Sequence, residues 1–199
     1  MTLGVLISGR GSNLQAIIDA IASGDLPASI AVVISNRADA PGLARAERAG
    51  IPTLVMPHKA YADRAAYDRA LAETLKSHGV ELVCLAGFMR LLGPVFIDQF
   101  PNAVLNIHPS LLPAFPGLDA QHQAFDHGVK VTGATVHFVT AELDAGPIVC
   151  QAAVPVLDTD TAETLATRIL EVEHRLYPEG IRRVAAGGWR IVGRRSERQ

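Results

Sequence analysis

Short apolar runs alternate with stretches that are apolar on one side only, from the N-terminus to about residue 107. The runs are rich in β-branched residues, which is typical of strands covered on both faces. The stretches between them have helical spacing, as in Leu14, Ile17, Ile18 and Ile21, which share one face. Such alternation indicates a mainly parallel sheet with right-handed crossovers. The pattern predicts strands at 3–8, 30–35, 53–56, 82–86 and 103–107, and helices at 12–22, 41–49 and 63–78 with Asp63 as a helix cap.

The pattern changes in the second half of the chain. Two β-branched stretches at 130–139 and 148–156 are separated only by a loop, which favours antiparallel strands added to the sheet. A final helix is predicted at 161–186, with Pro178 as a candidate break, and 194–199 is predicted to be a frayed basic tail. The fold class expected is therefore α/β: a single domain with a twisted, mostly parallel, Rossmann-like sheet flanked by helices.

Composition narrows the class of protein. Of 199 residues, 49% are apolar and 19% charged, which is typical of a compact globular chain. With 20 acidic and 18 basic side chains, no overall basic field is available to attract nucleic acid or an anionic membrane. The sequence shows neither a signal peptide nor a membrane-spanning run, so a cytoplasmic protein is expected. Cys84 and Cys150 lie in apolar runs and are predicted to be reduced core thiols, and no metal-ligand spacing is found.

A glycine-rich loop, Ser8-Gly9-Arg10-Gly11-Ser12-Asn13-Leu14, joins the first predicted strand to the first helix. Glycines let backbone N–H groups approach an anion, and a helix N-terminus favours negative charge. The third glycine of a dinucleotide fingerprint is replaced by Leu14, so a single phosphomonoester fits the loop better. Two alternatives stay open. The loop is a turn without a ligand, or Arg37 accepts the 2′-phosphate of a reductase cofactor.

The run from Leu105 to Pro113 contains the strongest candidate chemistry. Asn106 and His108 are two residues apart in an extended segment, so their side chains are expected to share one face at the end of a strand. An imidazole can hold or deliver a proton near neutral pH, and an amide can donate to a developing oxyanion. Pro109 and Pro113 are expected to stiffen the loop that follows.

Five segments together resemble one known family, the phosphoribosylglycinamide formyltransferases (glycinamide ribonucleotide transformylases). These are the folate-dependent formyltransferases of purine biosynthesis. The resemblance covers roughly residues 3–178, and the order and separation of the segments agree with the family. The segments are Ser8 to Leu14, Leu85 to Arg90, Asn106 to Pro113, Thr135 to Val139 and Leu143 to Pro147.

The resemblance implies transfer of a formyl group from the cosubstrate 10-formyltetrahydrofolate to the amine of phosphoribosyl glycinamide, without a metal and without a covalent intermediate. Small-molecule substrates are the expected partners, and the chain is expected to be a monomer or a homodimer. The phosphate-binding half is expected at about 1–100, and the folate-binding and catalytic half at about 101–190. A methionyl-tRNA formyltransferase, a formyltetrahydrofolate hydrolase and a non-catalytic nucleotide-binding module are the alternatives; the first two are expected to carry additional segments.

The same resemblance implies the roles of individual residues. His108 is the general acid, with Asn106 and Asp144 beside it. From the sequence alone, Asp144 could equally be a turn former before Gly146. His137 lines the site or is a core histidine. The ribonucleotide site comprises Gly11, Ser12, Asn13 and Glu173. The folate site comprises Arg64, Met89, Arg90, Leu91, Leu92, Asn106, Thr140, Ala141, Glu142, Leu143 and Asp144. The segment 119–128, whose first five residues depart from the family pattern, is expected to be a flexible loop over the site.

Overall fold

The computed structural model describes residues 1–198, which form two compact units, Met1–Asn106 and a second one that begins at Ile107. Gln199, part of the predicted tail, lies outside the described residues. The prediction that 1–199 acts as a single domain stays a prediction.

The first unit alternates strands and helices. Along the chain these are β1 Thr2–Ile7, α1 Ser12–Ala22, β2 Ser29–Ser35, α2 Gly42–Arg48, β3 Thr53–Val55, a 3-10 turn His58–Ala60, α3 Arg64–Ser77, β4 Leu82–Leu85, α4 Pro94–Ile97 and β5 Val104–His108. The strands are parallel, in the order β3-β2-β1-β4-β5, and the last two residues of β5 belong to the second unit.

Helix α3 packs closely on β1. A Cβ at Gly4 would lie 2.5 Å from the Leu75 side chain, so the strand needs glycine where the helix crosses it. Leu71 and Leu75 of this helix are fully buried. The Asp63 carboxylate accepts a hydrogen bond from the Ala66 N–H (2.8 Å) and caps the helix, as predicted.

The second unit pairs antiparallel strands with a long helix. Its elements are α5 Ala120–Asp126, β6 Val131–Phe138, β7 Ile148–Pro155, α6 Ala162–Ala185, β8 Trp189–Val192 and β9 Arg195–Arg198. Strands β6 and β7 are antiparallel, as predicted. Helix α6 continues through Pro178 without a break and packs so closely on β6 that a Cβ at Gly180 would lie 2.7 Å from Val136.

Two predicted irregular segments are regular in the structure. The basic end was predicted to fray, and this is wrong for the described residues: β8 and β9 form an antiparallel hairpin, with Arg195 beside Ile148 of β7. The turn uses Gly193, whose φ of 60° favours glycine. The segment 119–128, predicted to be a flexible loop, contains α5, which buries Ala120 and Ala124.

The predicted α/β class, with parallel strands first and antiparallel strands in the C-terminal half, is confirmed. Cys84 and Cys150 are buried, reduced thiols, also as predicted. Among residues 1–198, no helix combines the length and the apolar character that crossing a bilayer requires.

Candidate active site

The glycine-rich loop of the first unit is held tightly between β1, α1 and α2. Gly11 has a φ of 69°, and a Cβ there would lie 2.7 Å from the Cα of Gly42. The Gly42 N–H donates to the Gly9 carbonyl (3.0 Å), and Arg45 Nε donates to the Arg10 carbonyl (2.9 Å). The N-cap residue of α1 is Gly11, which has no side chain to cap the helix. The loop therefore presents a helix N-terminus with a rigid backbone, the arrangement that favours an anion.

Ser8 connects this loop to the segment after β4. Its buried hydroxyl donates to Asn36 Oδ1 (2.6 Å) and accepts from the Met89 N–H (2.8 Å). The Ser8 N–H also donates to the Gly87 carbonyl (3.1 Å). The structure thus brings the predicted phosphate loop close to Met89. This is the first residue of the segment Met89–Leu92, the predicted folate wall of this unit. The sequence analysis named Ser8 only as part of the glycine-rich loop, and no local signal indicated that Asn36 would contact it.

The predicted folate wall of this unit exposes apolar side chains. Met89 is 65% exposed and Leu91 58%, whereas Leu92 is buried. Large exposed apolar groups so close together in sequence are typical of a ligand surface. Arg64, at the start of α3, is half exposed, and its Nε lies 3.8 Å from the Oδ2 of Asp68.

The centre of the candidate active site in the second unit is His108, the last residue of β5. Its buried Nδ1 lies 3.5 Å from Asp144 Oδ2, and its Nε2 lies 2.8 Å from the Phe115 carbonyl oxygen. Both ring nitrogens therefore face oxygens that can only accept from them, so a ring protonated on both nitrogens can donate to each. The predicted approach of Asp144 to His108 is confirmed, while the catalytic roles stay predictions.

Asp144 reaches this position because the loop between β6 and β7 folds back. The Phe138 N–H donates to the Pro147 carbonyl (2.9 Å) and closes the loop. A Cβ at Gly146 would lie 1.8 Å from the Phe138 oxygen, so only glycine allows this approach. Asp144 itself has a φ of 49°, and its Oδ2 accepts from the Gly117 N–H (2.8 Å).

A second histidine flanks the same carboxylate. His137 Nε2 lies 3.8 Å from Asp144 Oδ1, and its Nδ1 lies 2.9 Å from the Phe138 carbonyl oxygen. Burial lowers the pKa of His137, although the Phe138 carbonyl and Asp144 oppose the shift. The side chain therefore borders the candidate catalytic pair.

Thr135 and Gln151 fix the loop that follows His108. Thr135 Oγ1 donates to the Ser110 carbonyl (2.7 Å) and accepts from the Leu112 N–H (3.1 Å). Gln151 Nε2 donates to the Leu112 carbonyl (2.9 Å). The Ser110 hydroxyl donates a hydrogen bond to the backbone of the loop, at the Phe115 carbonyl oxygen (3.3 Å). Sequence reasoning missed Gln151, because nothing local marks a strand glutamine as a clamp.

The other predicted residues of the second unit lie on two elements. Glu173 is buried on α6, whereas Thr140 to Leu143 are exposed in the loop that contains Asp144. Among residues 1–198, no cluster of three or more His, Cys, Asp or Glu side chains is placed to hold a metal ion.

The His137 environment predicts how stability depends on pH. Because burial holds its pKa below the ordinary 6.5, the unfolded chain binds this proton before the folded chain does. The contribution to stability is thus complete above about pH 6.5 and decreases as the pH falls towards the folded-state pKa. His137→Gln is expected to make the free energy of unfolding fall less between about pH 7 and pH 5 than in the wild type.

Chemical denaturation at the two pH values measures this effect. His127→Gln, at an exposed histidine of the same unit, is the control and should retain the wild-type pH dependence. His58, whose pKa is also lowered by burial, contributes equally to the pH dependence of stability in both variants. The same pH dependence in His137→Gln as in the wild type would contradict the expectation.

Comparisons with known proteins give a consistent picture. Residues 1–181 match the formyl transferase family model. The chain is 47% identical over 178 residues to the phosphoribosylglycinamide formyltransferase of Escherichia coli, covering 89% of this chain and 84% of that protein. It is 51% identical over 187 residues to a trifunctional purine biosynthetic protein of Bos taurus, covering 94% of this chain but only 18% of that protein's length.

Solved structures are similar over nearly the whole chain. The glycinamide ribonucleotide transformylase 1 of Symbiobacterium toebii has a TM-score of 0.97 and 61% identity, with 99% of this chain and 93% of that chain covered. The phosphoribosylglycinamide formyltransferase of Coxiella burnetii has a TM-score of 0.94 and 45% identity, with 98% and 92% covered.

Proposed function

The chain belongs to the formyl transferase family, and on that premise we propose that it transfers the formyl group of 10-formyltetrahydrofolate to the amine of 5-phosphoribosyl glycinamide. This is a step of purine biosynthesis, which we place in the cytoplasm. The relatives named for this activity support the proposal. The observation that carries it is the buried His108, held between Asp144 and the Phe115 carbonyl.

The reaction requires proton movement and stabilisation of one negative oxygen. The substrate amine attacks the formyl carbon, so a carbon–nitrogen bond forms and a tetrahedral oxyanion develops. The bond from this carbon to the folate nitrogen then breaks. That nitrogen leaves poorly unless it gains a proton, while the attacking amine must lose one. A general acid is worth about 10²–10⁴ in rate here, and no nucleophilic side chain is needed because the substrate supplies the nucleophile.

We assign the acid to His108 and its orientation to Asp144. The carboxylate lies 3.5 Å from Nδ1 and is itself fixed by the Gly117 N–H. An ionised carboxylate can only accept a hydrogen bond, so it orients the ring with a protonated Nδ1 towards it. A ring protonated on both nitrogens can stabilise the oxyanion. Since the Nε2 proton is held by the Phe115 carbonyl, we assign the proton at Nδ1 to the leaving folate nitrogen, and the proton lost by the attacking amine restores it.

Asn106, two residues earlier on β5, is the proposed oxyanion donor. Residues i and i+2 of a strand point to the same side, which is the side of His108. An amide N–H donates without changing its protonation state, so it can stabilise the oxyanion throughout the reaction. One donor of this kind typically contributes about 10²–10³ in rate.

The ribonucleotide phosphate is assigned to Gly11, Ser12 and Asn13. Gly11 forms the left-handed corner before α1, and the helix begins at Ser12 without a side-chain cap. Backbone N–H groups at such an end suit a dianionic phosphate. Glu173, a carboxylate on α6, is assigned to the ribose hydroxyls because it can accept from two of them.

The residues assigned to the folate are described unit by unit, each with its fitting chemistry. In the first unit, the exposed Met89 and Leu91 offer apolar contact to a ring, and Arg64 offers a cation to a carboxylate. In the second unit, Leu143 is 50% exposed in the loop that contains Asp144. The full assignment is Arg64, Met89, Arg90, Leu91, Leu92, Asn106, Thr140, Ala141, Glu142, Leu143 and Asp144.

Turnover with two amines tests the proposal. The purified protein is given 10-formyltetrahydrofolate with either phosphoribosyl glycinamide or glycinamide lacking the phosphoribosyl group, and loss of the formyl donor is followed. Formyl transfer is expected with the phosphorylated amine and should be at least about 10³-fold slower without it, because charge-assisted phosphate contacts are lost.

Each other outcome identifies what is wrong. Equal rates with both amines would contradict the assignment of the ribonucleotide phosphate to the glycine-rich loop. Consumption of the formyl donor without any amine would indicate hydrolysis in place of transfer. Formylation of an aminoacyl-tRNA in place of the glycinamide would replace the proposed acceptor.

A further inference from the structure

Asp68 is a buried carboxylate on α3 that the proposed reaction does not use. Its side chain is only 2% exposed. Oδ2 accepts a hydrogen bond from the Gly93 N–H (2.7 Å) and lies 3.8 Å from Arg64 Nε, at ion-pair distance. Burial raises the pKa of Asp68, while the Gly93 N–H and the charges of Arg64 and Arg90 lower it. A carboxylate that is costly to bury therefore lies between two segments of the proposed folate site.

Gly93 shows how tightly these groups pack. A Cβ built on Gly93 would lie 2.8 Å from Asp68 Oδ2 and 3.4 Å from Arg64 Nε. Gly93 is buried, directly follows Leu92, and is the residue from which α4 begins. The carboxylate and the guanidinium therefore pack directly against the end of the Met89–Leu92 wall.

The groups around the Asp68 carboxylate support the same link between α3 and the wall. Asp68 Oδ1 and Arg90 Nε are both buried and have no hydrogen-bond partner among residues 1–198. One oxygen, Oδ2, therefore makes both the contact to Gly93 and the approach to Arg64. The negative charge acts on the cations of Arg64, which belongs to α3, and of Arg90, which belongs to the wall.

From this arrangement we propose that Asp68 is a positioning residue of the folate site, which holds the Arg64 guanidinium in a fixed orientation relative to the Met89–Leu92 wall. The inference rests on the proposed function, since it assigns both segments to the folate. Asp68 contacts no substrate in this proposal and acts through Arg64 and Gly93.

Preorganisation explains why such a residue is useful. A half-exposed arginine has many rotamers, and binding must otherwise restrict them at a cost in affinity. A buried carboxylate at its Nε restricts the side chain before the ligand arrives. The same oxygen fixes the backbone after Leu92, so the cation and the apolar wall keep one mutual orientation.

Asp68→Asn tests the proposal with little change in shape. The asparagine oxygen can still accept from the Gly93 N–H, but the negative charge facing Arg64 is lost. We expect KM for 10-formyltetrahydrofolate to rise about tenfold, while kcat and KM for the ribonucleotide stay within about twofold of the wild type. Glu73→Gln removes an exposed charge from the same helix and is the matched control, expected to leave all three values unchanged.

A double-variant cycle separates positioning from stability. Arg64→Ala should itself raise KM for the folate, and adding Asp68→Asn should then change KM by less than about twofold, because the group it orients is gone. Full multiplication of the two effects would overturn the proposal. So would an Asp68→Asn protein with a lower melting temperature and an unchanged KM for the folate.

Gly93→Ala approaches the same contact from the other side and covers the case in which Asp68→Asn does not fold. Its new methyl displaces Oδ2, so the rise in KM should be confined to the folate. Calorimetric titration with tetrahydrofolate repeats the comparison without turnover. About tenfold weaker binding of tetrahydrofolate by Asp68→Asn supports the proposal. Equal affinity would overturn the positioning role of Asp68 but not the proposed function. A wild-type protein that binds no tetrahydrofolate would overturn the proposed function as well.

Discussion

Replacing His108 with alanine is expected to lower kcat for formyl transfer by about 10²–10⁴-fold. The imidazole is the proposed source of the proton that the leaving folate nitrogen needs, and alanine offers none. KM for the ribonucleotide should change little, because the phosphate is assigned to the Gly11–Asn13 loop. Steady-state kinetics with each substrate varied in turn measures both quantities.

His122→Ala is the control for this variant. His122 is a half-exposed histidine of the same unit, on α5, and is paired with Asp119 (2.6 Å) at the surface. It should keep wild-type kcat. A His108→Ala enzyme with near-normal turnover would remove the assigned general acid, whereas a parallel loss in His122→Ala would indicate a general effect on folding.

Replacing Asp144 with asparagine is expected to lower kcat by about 10²-fold or more, because the His108 ring loses the charged acceptor that orients it. Asparagine is the informative choice for two reasons. It tolerates the φ of 49° at this position, and its oxygen can still accept from the Gly117 N–H. The variant therefore removes the charge next to His108 and largely keeps the loop.

Combining the two substitutions tests whether the residues act as one unit. The double variant His108→Ala with Asp144→Asn should be about as slow as His108→Ala alone, because the carboxylate acts through the imidazole. Asp158→Asn removes an exposed charge from the same unit and should have wild-type kcat. Rate losses that multiply would contradict the pairing of His108 with Asp144.

Local elements were predictable because their signals are contained in a few neighbouring residues. Helix α1 has the predicted bounds, Ser12–Ala22, since its apolar face repeats with helical spacing. The Asp63 cap follows from one carboxylate before α3. The antiparallel pair β6 and β7 follows from two β-branched stretches joined by a loop.

The errors fall where local signals are weak and distant contacts decide. Strand β9 is short and charged, and it is ordered beside β7, where Arg195 pairs with Ile148 far away in sequence. Helix α5 has seven residues, too few to be stable alone, and is ordered because Ala120 and Ala124 become buried. Burial of this kind depends on tertiary packing.

Candidate chemistry divides in the same way. The sequence alone determined the strand–helix alternation, the glycine-rich loop before α1, and the placement of Asn106 and His108 on one side of a strand, since each depends on neighbouring residues. Only the tertiary structure decided that Asp144 faces His108, that His137 borders the same carboxylate, and that Asp68 lies between Arg64 and Gly93. These contacts join residues distant in sequence, and they depend on backbone approaches such as Gly146 against Phe138, which only folding creates.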